Sequence, residues 1–240
     1  MPPSSQLVLP FPYQPGYAAV DFLRAPSNED AVAWLARTQD WPCGQLALWG
    51  QAGCGKTHLL HIWAARAGAA LRSAAQPGGM PDLPTSGGLA IDDAEQAAEE
   101  PLLHLLNAAR EAKLPVLLAA RQPPARWPTR LPDLTSRLRA ITAVEIGPPE
   151  DSLLQGLLMR LLADRQLVLS PVLQDWLRRR LPRAPGVLRE VVERLDRAAL
   201  AGGGKIARPL AAAVLADLLP DVEKSAADPS RPSPRPPPLL

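Results

Sequence analysis

The octapeptide Gly50–Thr57 constrains the fold of this chain more than any other stretch; it reads Gly-Gln-Ala-Gly-Cys-Gly-Lys-Thr. It matches G-x-x-x-x-G-K-[ST], the pattern of a phosphate-binding loop whose backbone N–H groups surround the phosphates. The apolar pentapeptide 45–49 precedes it, and apolar residues at helical spacing follow it as far as Gly68. A strand, a glycine-rich turn and a helix are the context that the motif requires. We therefore expect a site for a nucleoside triphosphate or diphosphate.

Each residue type in the motif has a separate part in this predicted site. Glycines allow a close approach of the backbone to the phosphates, and the helix that follows adds the partial positive charge of its N-terminus. Lys56 is expected to reach the β- and γ-phosphates, and Thr57 to bind Mg²⁺. The predicted nucleotide-binding residues of this region are Gly50, Gly53, Cys54, Gly55, Lys56, Thr57 and His58.

A second apolar segment ends in two carboxylates, Asp92 and Asp93. A carboxylate at the end of a strand can hold Mg²⁺ through water, which makes Asp92 the predicted partner of Thr57 in the metal site. Asp93 has the position from which a carboxylate can polarise an attacking water, although glutamate would reach further. Asp93 can equally be the N-cap of a helix that begins at Ala94, and the sequence favours neither interpretation.

The order of the predicted elements indicates an α/β fold with a parallel sheet covered by helices. Four apolar segments are predicted strands: 45–49, 89–91, 115–120 and 142–146. The predicted helices around them are 31–37, the helix after the phosphate-binding loop, 94–113 and 133–139, with a Gly- and Pro-rich loop over 73–87.

A small all-helical domain is predicted after Gly147-Pro148-Pro149. Its helices are expected at 150–165, 171–181, 185–200 and 208–219. The predicted organisation is an extended segment over 1–16, an α/β domain over 17–148, the helical domain over 149–219 and a Pro-rich tail over 220–240. The composition of the tail predicts disorder.

Composition restricts the function classes. The net charge of +2 is too small to indicate nucleic-acid binding by itself. Two cysteines, Cys43 and Cys54, form no disulfide framework and suit a reducing cytoplasm. No apolar run is long enough to predict a membrane span. The basic cluster 178–180 is expected to be a solvated helix face.

A phosphate-binding α/β domain followed by a helical lid resembles the AAA+ ATPases. The stretch Leu131–Leu138, Leu-Pro-Asp-Leu-Thr-Ser-Arg-Leu, resembles the segment that carries the arginine finger in the family of the replication initiator DnaA and its relative Hda. The resemblance implies that Arg137 is this finger, a guanidinium that neutralises transition-state charge at a neighbouring subunit's nucleotide. The alternative is an ordinary surface arginine.

The same resemblance implies a sensor 2 contact. The segment 186–195, Gly-Val-Leu-Arg-Glu-Val-Val-Glu-Arg-Leu, is similar to the family's sensor 2 helix. This similarity implies that Arg189 contacts the phosphates of the chain's own nucleotide. The alternative is a solvated charge paired with Glu193 on the same helix.

The segment before the first helix resembles the adenine side of the family's nucleotide site. Val20-Asp21-Phe22-Leu23 and Ser27-Asn28 carry this similarity. It implies that Phe22 or Leu23 packs near the base. Asn28 can instead cap its own helix.

Two departures from the family pattern limit what the resemblance implies. Ala119 has the sensor 1 position and offers no hydrogen bond to the γ-phosphate, and Arg121 is expected to be a poorly placed substitute. With Asp93, this predicts weak intrinsic ATP hydrolysis. A Pro-rich tail follows the lid in place of the helix-turn-helix domain with which DnaA reads origin DNA.

The N-terminal hexapeptide resembles the β sliding-clamp motif in its Q-L-x-L-P-F form, which Hda-type members carry. An extended peptide can bind by placing apolar side chains in pockets of its partner while a side-chain amide forms a hydrogen bond at the edge of the pocket. The predicted clamp-binding residues are Gln6, Leu7, Leu9, Pro10 and Phe11. The alternative is an edge strand or a chance hexapeptide.

Together these features predict an Hda-like regulator. Bound to the β sliding clamp of DNA polymerase III and to ADP or ATP with Mg²⁺, it would stimulate ATP hydrolysis by DnaA through Arg137 and so prevent a second initiation of replication. It would contact DNA indirectly through the clamp, in the cytoplasm at the replisome, and homo-oligomers are compatible with the resemblance. The alternatives are a DnaA-like or helicase-loader-like ATPase acting on DNA itself, and a clamp adaptor that needs no nucleotide.

Overall fold

The computed structural model describes residues 17–75, 83–201 and 206–218. The predicted clamp-binding peptide and the Pro-rich tail lie outside these residues. Within them the chain forms two compact units. The sheet unit consists of residues up to 157 together with 183–186, and the helical unit consists of 158–182 and the residues from 187 onward.

The sheet unit contains five strands and four α-helices among its described residues. The strands are β1 (Gln45–Trp49), β2 (Ala70–Ser73), β3 (Leu89–Asp92), β4 (Val116–Ala120) and β5 (Thr142–Glu145). The helices are α1 (Glu29–Ala36), α2 (Lys56–Ala67), α3 (Glu99–Glu111) and α4 (Pro132–Ala140). The strand order is β2-β3-β4-β1-β5, and every neighbouring pair is parallel.

Both faces of the sheet are covered by apolar side chains, which explains the nearly unbroken apolar sequence of the strands. On one face, Leu118 and Ala120 pack with residues of α3 and α4. On the other, Leu117 and Ala119 pack with residues of α1 and α2. The predicted parallel sheet covered by helices is therefore confirmed.

Two predictions about elements were wrong in detail. The edge strand β2 was not predicted, because its four residues are mostly half-buried and its one strand neighbour is β3, so its apolar pattern is weak. The helix predicted over 94–113 is interrupted: a 3-10 turn, Ala94–Gln96, is followed by Ala97 and Ala98 in extended conformation before α3 begins. Pro101 lies in the first turn of α3, where proline is tolerated, whereas it would lie in the interior of a helix that began at Ala94.

The remaining helices are α5 (Asp151–Asp164), α6 (Pro171–Arg180), α7 (Pro185–Ala201) and α8 (Arg208–Leu218). The division between the units falls within α5 and within α7. Ser170 is the N-cap of α6, and its side chain accepts a hydrogen bond from the Leu173 N–H, while Pro171 takes the first helical position. Leu177, Val191, Val192 and Leu195 are fully buried in the helical unit. In the described part of the chain, no helix is long and apolar enough to cross a membrane.

Candidate functional site

The phosphate-binding loop connects β1 to α2 and begins at a position that only glycine fits. Gly50 has a φ of +153°, and a Cβ added there would lie 2.5 Å from the carbonyl oxygen of Ile146. Gly55, at the N-cap of α2, has a φ of +107°. Side chains rarely adopt such backbone angles, so glycine at both positions keeps the loop tight and its interior free of Cβ atoms.

Lys56 at the start of α2 is folded back onto the loop. Its side chain is 9% exposed, and its Nζ donates hydrogen bonds to the carbonyl oxygens of Gly50 (2.8 Å) and Gln51 (2.9 Å). The Cys54 sulfur, which packs beneath the loop, lies 3.7 Å from the same Nζ. The ammonium is therefore held inside the loop by neutral acceptors, where an anion can compete for it.

Thr57 and Asp92 meet at the carboxyl edge of the sheet. The Thr57 hydroxyl donates to Asp92 Oδ2 over 2.6 Å. The other carboxylate oxygen, Oδ1, accepts the backbone N–H of Asp93 at 3.0 Å. A hydroxyl beside a carboxylate oxygen is an oxygen-ligand pair that suits Mg²⁺.

Asp93 has a left-handed backbone, with a φ of +49°, and its side chain makes no capping hydrogen bond. Asp93 occupies the N-cap position of the 3-10 turn Ala94–Gln96, as the predicted alternative has it, but without a capping bond from its side chain. Burial raises the pKa of Asp93, and the charges of Asp92 and Glu95 raise it further, against the opposing charges of Arg121 and Lys56. A half-buried carboxyl with a raised pKa, on a strained backbone, is typical of a functional position.

The adenine-side segment is fastened to α2 by a set of ring contacts. His58 is buried, its Nε2 lies 3.0 Å from the carbonyl oxygen of Ala18, and its ring meets Tyr17 and Phe22 edge-on. Tyr17 also stacks on His61 at 4.0 Å between ring centroids. The His58 side chain thus holds the segment that leads to Phe22, and the ring of Phe22 lies against the end of the phosphate-binding loop at Gly55.

Leu23 and Asn28 are joined within the same segment. The Asn28 amide donates to the carbonyl oxygen of Leu23 and accepts the backbone N–H of Ala25, and Asn28 is 2% exposed. Asn28 is the N-cap residue of α1, as the predicted alternative has it, but its side chain makes no capping bond to that helix. The buried amide instead fixes the turn that positions Leu23.

Arg137 lies on α4, away from these residues. It is half-buried in a cleft of about 440 Å³ whose other lining residues are Asn107, Arg110 and Glu111 on α3. Among the described residues, no hydrogen bond or ion pair holds its guanidinium. A cation without a partner inside a polar cleft is available to an external anion.

Arg189 lies on α7 in the helical unit and is half-buried. The ion pair with Glu193 that the alternative predicted for it is absent from the described residues, where Glu193 pairs with Arg197. In the basic cluster of α6, Arg178 and Arg179 both pair with Asp175 at 2.9 Å and 2.8 Å.

The residues at the loop fit the phosphates of a nucleotide and a Mg²⁺ ion. The glycine positions leave no room for side chains, and the Lys56 ammonium faces only neutral acceptors. Among the described residues, no group of three or more His, Cys, Asp or Glu side chains could hold a metal ion.

One anchor of the site was missed by sequence reasoning. Glu150 accepts hydrogen bonds from the backbone N–H of Ser27 (2.6 Å) and from its hydroxyl (3.0 Å). The Gly147 N–H donates to the carbonyl oxygen of Ser27 at 2.8 Å. The partners are 123 residues apart, so no local pattern could have revealed the pair.

The fold has close counterparts among solved structures, although no protein-family model and no curated protein matches the sequence. Domain III of the replication initiation protein DnaA from Thermotoga maritima is 18% identical, with a TM-score of 0.72; the match covers 86% of this chain and 98% of that one. AMPPCP-bound DnaA from Aquifex aeolicus is 16% identical with a TM-score of 0.58, covering 72% and 62%. The RuvB Holliday junction branch migration motor of Thermotoga maritima is 18% identical with a TM-score of 0.59, covering 80% and 68%. The chain therefore has the AAA+ fold of DnaA and RuvB.

Proposed function

We propose that this protein is an Hda-like regulator that binds adenine nucleotide and the β sliding clamp and stimulates ATP hydrolysis by DnaA. The observation that carries the proposal is Arg137, a half-buried guanidinium in a polar cleft and without a partner among the described residues. Arg139 on the same helix also has no partner but is exposed, so what distinguishes Arg137 is its half-buried position inside the cleft.

Nucleotide binding is supported by the loop itself. The glycine positions, Lys56 and the Thr57–Asp92 pair supply the phosphate and magnesium contacts that a nucleotide needs. The DnaA structure of Aquifex aeolicus, which has the same fold, is bound to AMPPCP, an analogue of ATP. ADP or ATP with Mg²⁺ is the ligand that we propose for this chain.

The chain's own residues favour action on a partner's nucleotide over rapid hydrolysis of its own. Ala119 is fully buried and carries no polar atom that could orient water or phosphate. Asp93 has a raised pKa and a shorter reach than glutamate. A nucleotide bound at such a site would stabilise the conformation in which Arg137 contacts the nucleotide of DnaA.

The proposed tether is the N-terminal peptide with Gln6, Leu7, Leu9, Pro10 and Phe11. It precedes Tyr17, where the described chain begins and is fixed to α2 by its ring contact with His61. A short peptide ahead of a fixed point can bind the clamp while the folded units remain free to meet DnaA, which raises the local concentration of the two partners on DNA.

A single substitution on α4 tests the role of Arg137. Arg137→Ala should retain clamp and nucleotide binding but lose the stimulation of DnaA ATPase, since an arginine finger is worth roughly 10³-fold or more in rate. Arg139→Ala is the matched control, because Arg139 is exposed on the same helix and has no partner among the described residues. The assay is release of labelled phosphate by DnaA on clamp-loaded DNA.

The two variants distinguish the loss of an arginine finger from the loss of positive charge on α4. If both reduced stimulation equally, the effect would come from the net charge of α4 and the proposed finger would be wrong. If Arg137→Ala stimulated normally, the mechanism itself would be refuted.

A further inference from the structure

One indole ring of the helical unit gathers two guanidinium groups from different helices. Trp176 and Arg180 lie on α6, and Arg208 is the first residue of α8. Arg180 Cζ lies 4.7 Å from the centroid of the Trp176 ring, and Arg208 Cζ lies 5.5 Å from it. The packing of α8 beside α6 therefore brings two cations to one place on the surface.

The charge of this arginine pair is not neutralised by contact with a carboxylate. Arg180 and Arg208 are exposed, and neither has a hydrogen bond or an ion pair among the described residues. Asp175 on α6 is engaged by Arg178 at 2.9 Å and by Arg179 at 2.8 Å. One carboxylate is thus shared by two arginines, and the arginine pair adds two further positive charges beside them.

Trp176 holds the arginine pair without using its hydrogen-bond donors. The attraction of a cation to the face of an aromatic ring requires no N–H group of the guanidinium. The ring is half-buried, and its own Nε1 is buried with no hydrogen-bond partner among the described residues. The guanidinium N–H groups of Arg180 and Arg208 therefore remain available to an acceptor from outside the chain.

Two features of the arginine pair are electrostatically unfavourable in the free chain. Like charges that are held near each other repel. Arg208 also begins α8, and a cation is unfavourable at the N-terminus of a helix, where the partial charge of the helix is positive. A bound anion would reduce both costs.

The exposure of the arginine pair indicates which anion it fits. A site for a small ligand encloses most of the ligand surface, whereas these side chains lie open to solvent. A guanidinium can donate two parallel hydrogen bonds to a phosphate group. An open arginine cluster therefore suits a polymer that presents phosphates in a row, and duplex DNA carries one negative charge for about every 1.7 Å of its axis.

We propose that Arg180 and Arg208, placed together by Trp176, contact the phosphate backbone of duplex DNA. Contacts with the backbone carry no sequence information directly, so this binding is independent of sequence. The inference rests neither on the phosphate-binding loop nor on Arg137. It gives the helical unit a direct contact with DNA in addition to the proposed tether to the clamp.

The test is the fluorescence anisotropy of a labelled duplex of about 20 base pairs, titrated with the full chain between about 50 and 200 mM KCl. Arg180→Ala and Arg208→Ala should each reduce the slope of log binding constant against log salt concentration by about 0.9, the value for one lost phosphate contact. Arg179→Ala is the matched control, because it removes the same charge from the same helical turn but from an arginine that is paired with Asp175. It should leave the slope nearly unchanged.

Two substitutions of Trp176 test its positioning role. Trp176→Phe keeps an aromatic face for both cations and should bind the duplex nearly as tightly as the unmodified chain. Trp176→Leu keeps an apolar side chain without that face, and should weaken binding about threefold. The charges remain in both variants, so the salt slope should not change. Equal affinities of the two variants would overturn the positioning role.

Other anions serve as competitors in the same assay. A second duplex of unrelated sequence should bind with the same affinity, and polyglutamate of similar charge should bind more weakly. Inorganic phosphate at constant ionic strength should not displace the duplex. Polyglutamate that bound as tightly as the duplex, or displacement by inorganic phosphate, would contradict recognition of the DNA backbone.

The outcomes are separate from those that test the proposed function. If the unmodified chain did not bind the duplex at about 50 mM KCl, or if Arg179→Ala changed the slope as much as Arg180→Ala, the inference would be wrong. The proposed stimulation of DnaA would still stand, because it depends on Arg137 and on the clamp.

Discussion

Gly50 is the residue on which the shape of the phosphate-binding loop most depends, and its replacement by alanine has a calculable cost. The added Cβ would meet the Ile146 carbonyl oxygen at 2.5 Å, and the φ of +153° adds backbone strain. Gly68, after α2, offers a matched comparison, because its φ is +64° but a Cβ there would meet nothing within 4 Å.

The strain of a side chain in the left-handed region of Gly68 is about 1–2 kcal/mol, and it is no smaller at the φ of +153° of Gly50, a region adopted mainly by glycine. The clash at Gly50 is with backbone, which cannot rotate away, and forcing extra volume into a packed site adds about 1–3 kcal/mol. Gly50→Ala should therefore lower the free energy of unfolding by about 1–3 kcal/mol more than Gly68→Ala. Urea unfolding followed by circular dichroism measures this difference.

The same pair should differ in function. Gly50→Ala should also lose AMPPCP binding, because the loop must move to accommodate the methyl group, whereas Gly68→Ala should bind normally. Equal stabilities of the two variants, within about 0.5 kcal/mol, would refute the steric reasoning.

Two further predictions concern the anchor at Ser27 and the N-terminal peptide. Burial alone would raise the pKa of Glu150, but its backbone hydrogen bond and its bonds from Ser27 lower the pKa below the ordinary 4.5. This carboxylate therefore stabilises the fold above about pH 4.5, and that contribution is lost as the pH falls through its lowered pKa. In urea unfolding, Glu150→Gln should lower the free energy of unfolding by about 1 kcal/mol at pH 7 and by less at pH 3. A loss of stability that does not depend on pH would contradict this. Replacing both Leu9 and Phe11 by alanine should abolish clamp binding in surface plasmon resonance and leave AMPPCP affinity unchanged, whereas undiminished clamp binding would exclude the peptide as the tether.

Local patterns in the sequence were sufficient to predict most of the secondary structure of the sheet unit. The strands β1, β3, β4 and β5 are apolar runs bounded by turn residues, and glycines and a lysine at fixed spacing indicate the loop between β1 and α2. These features can be recognised from local sequence, because a parallel strand that is buried on both faces is apolar at nearly every position.

Other features depend on neighbours in space, and the sequence did not reveal them. The bond between Ser27 and Glu150 joins distant segments. The ring of His58, one of the predicted nucleotide-binding residues, makes edge-on contacts with Tyr17 and Phe22 that the sequence did not reveal.

The register at the end of β4 is a further example. From the sequence alone, Arg121 was expected to be a poorly placed substitute for Ala119. The Gly50 N–H donates to the Ala120 carbonyl oxygen and the Arg121 N–H donates to Glu95, and both bonds join separate elements that local sequence does not relate.

The central claim is that this protein acts on the nucleotide of DnaA. The most direct measurement is the rate of phosphate release by ATP-loaded DnaA in the presence of the unmodified protein, with clamp-loaded DNA and with the same DNA free of clamp. The account predicts a large acceleration with clamp-loaded DNA and little without the clamp. Phosphate release that does not respond to the protein on clamp-loaded DNA would contradict it.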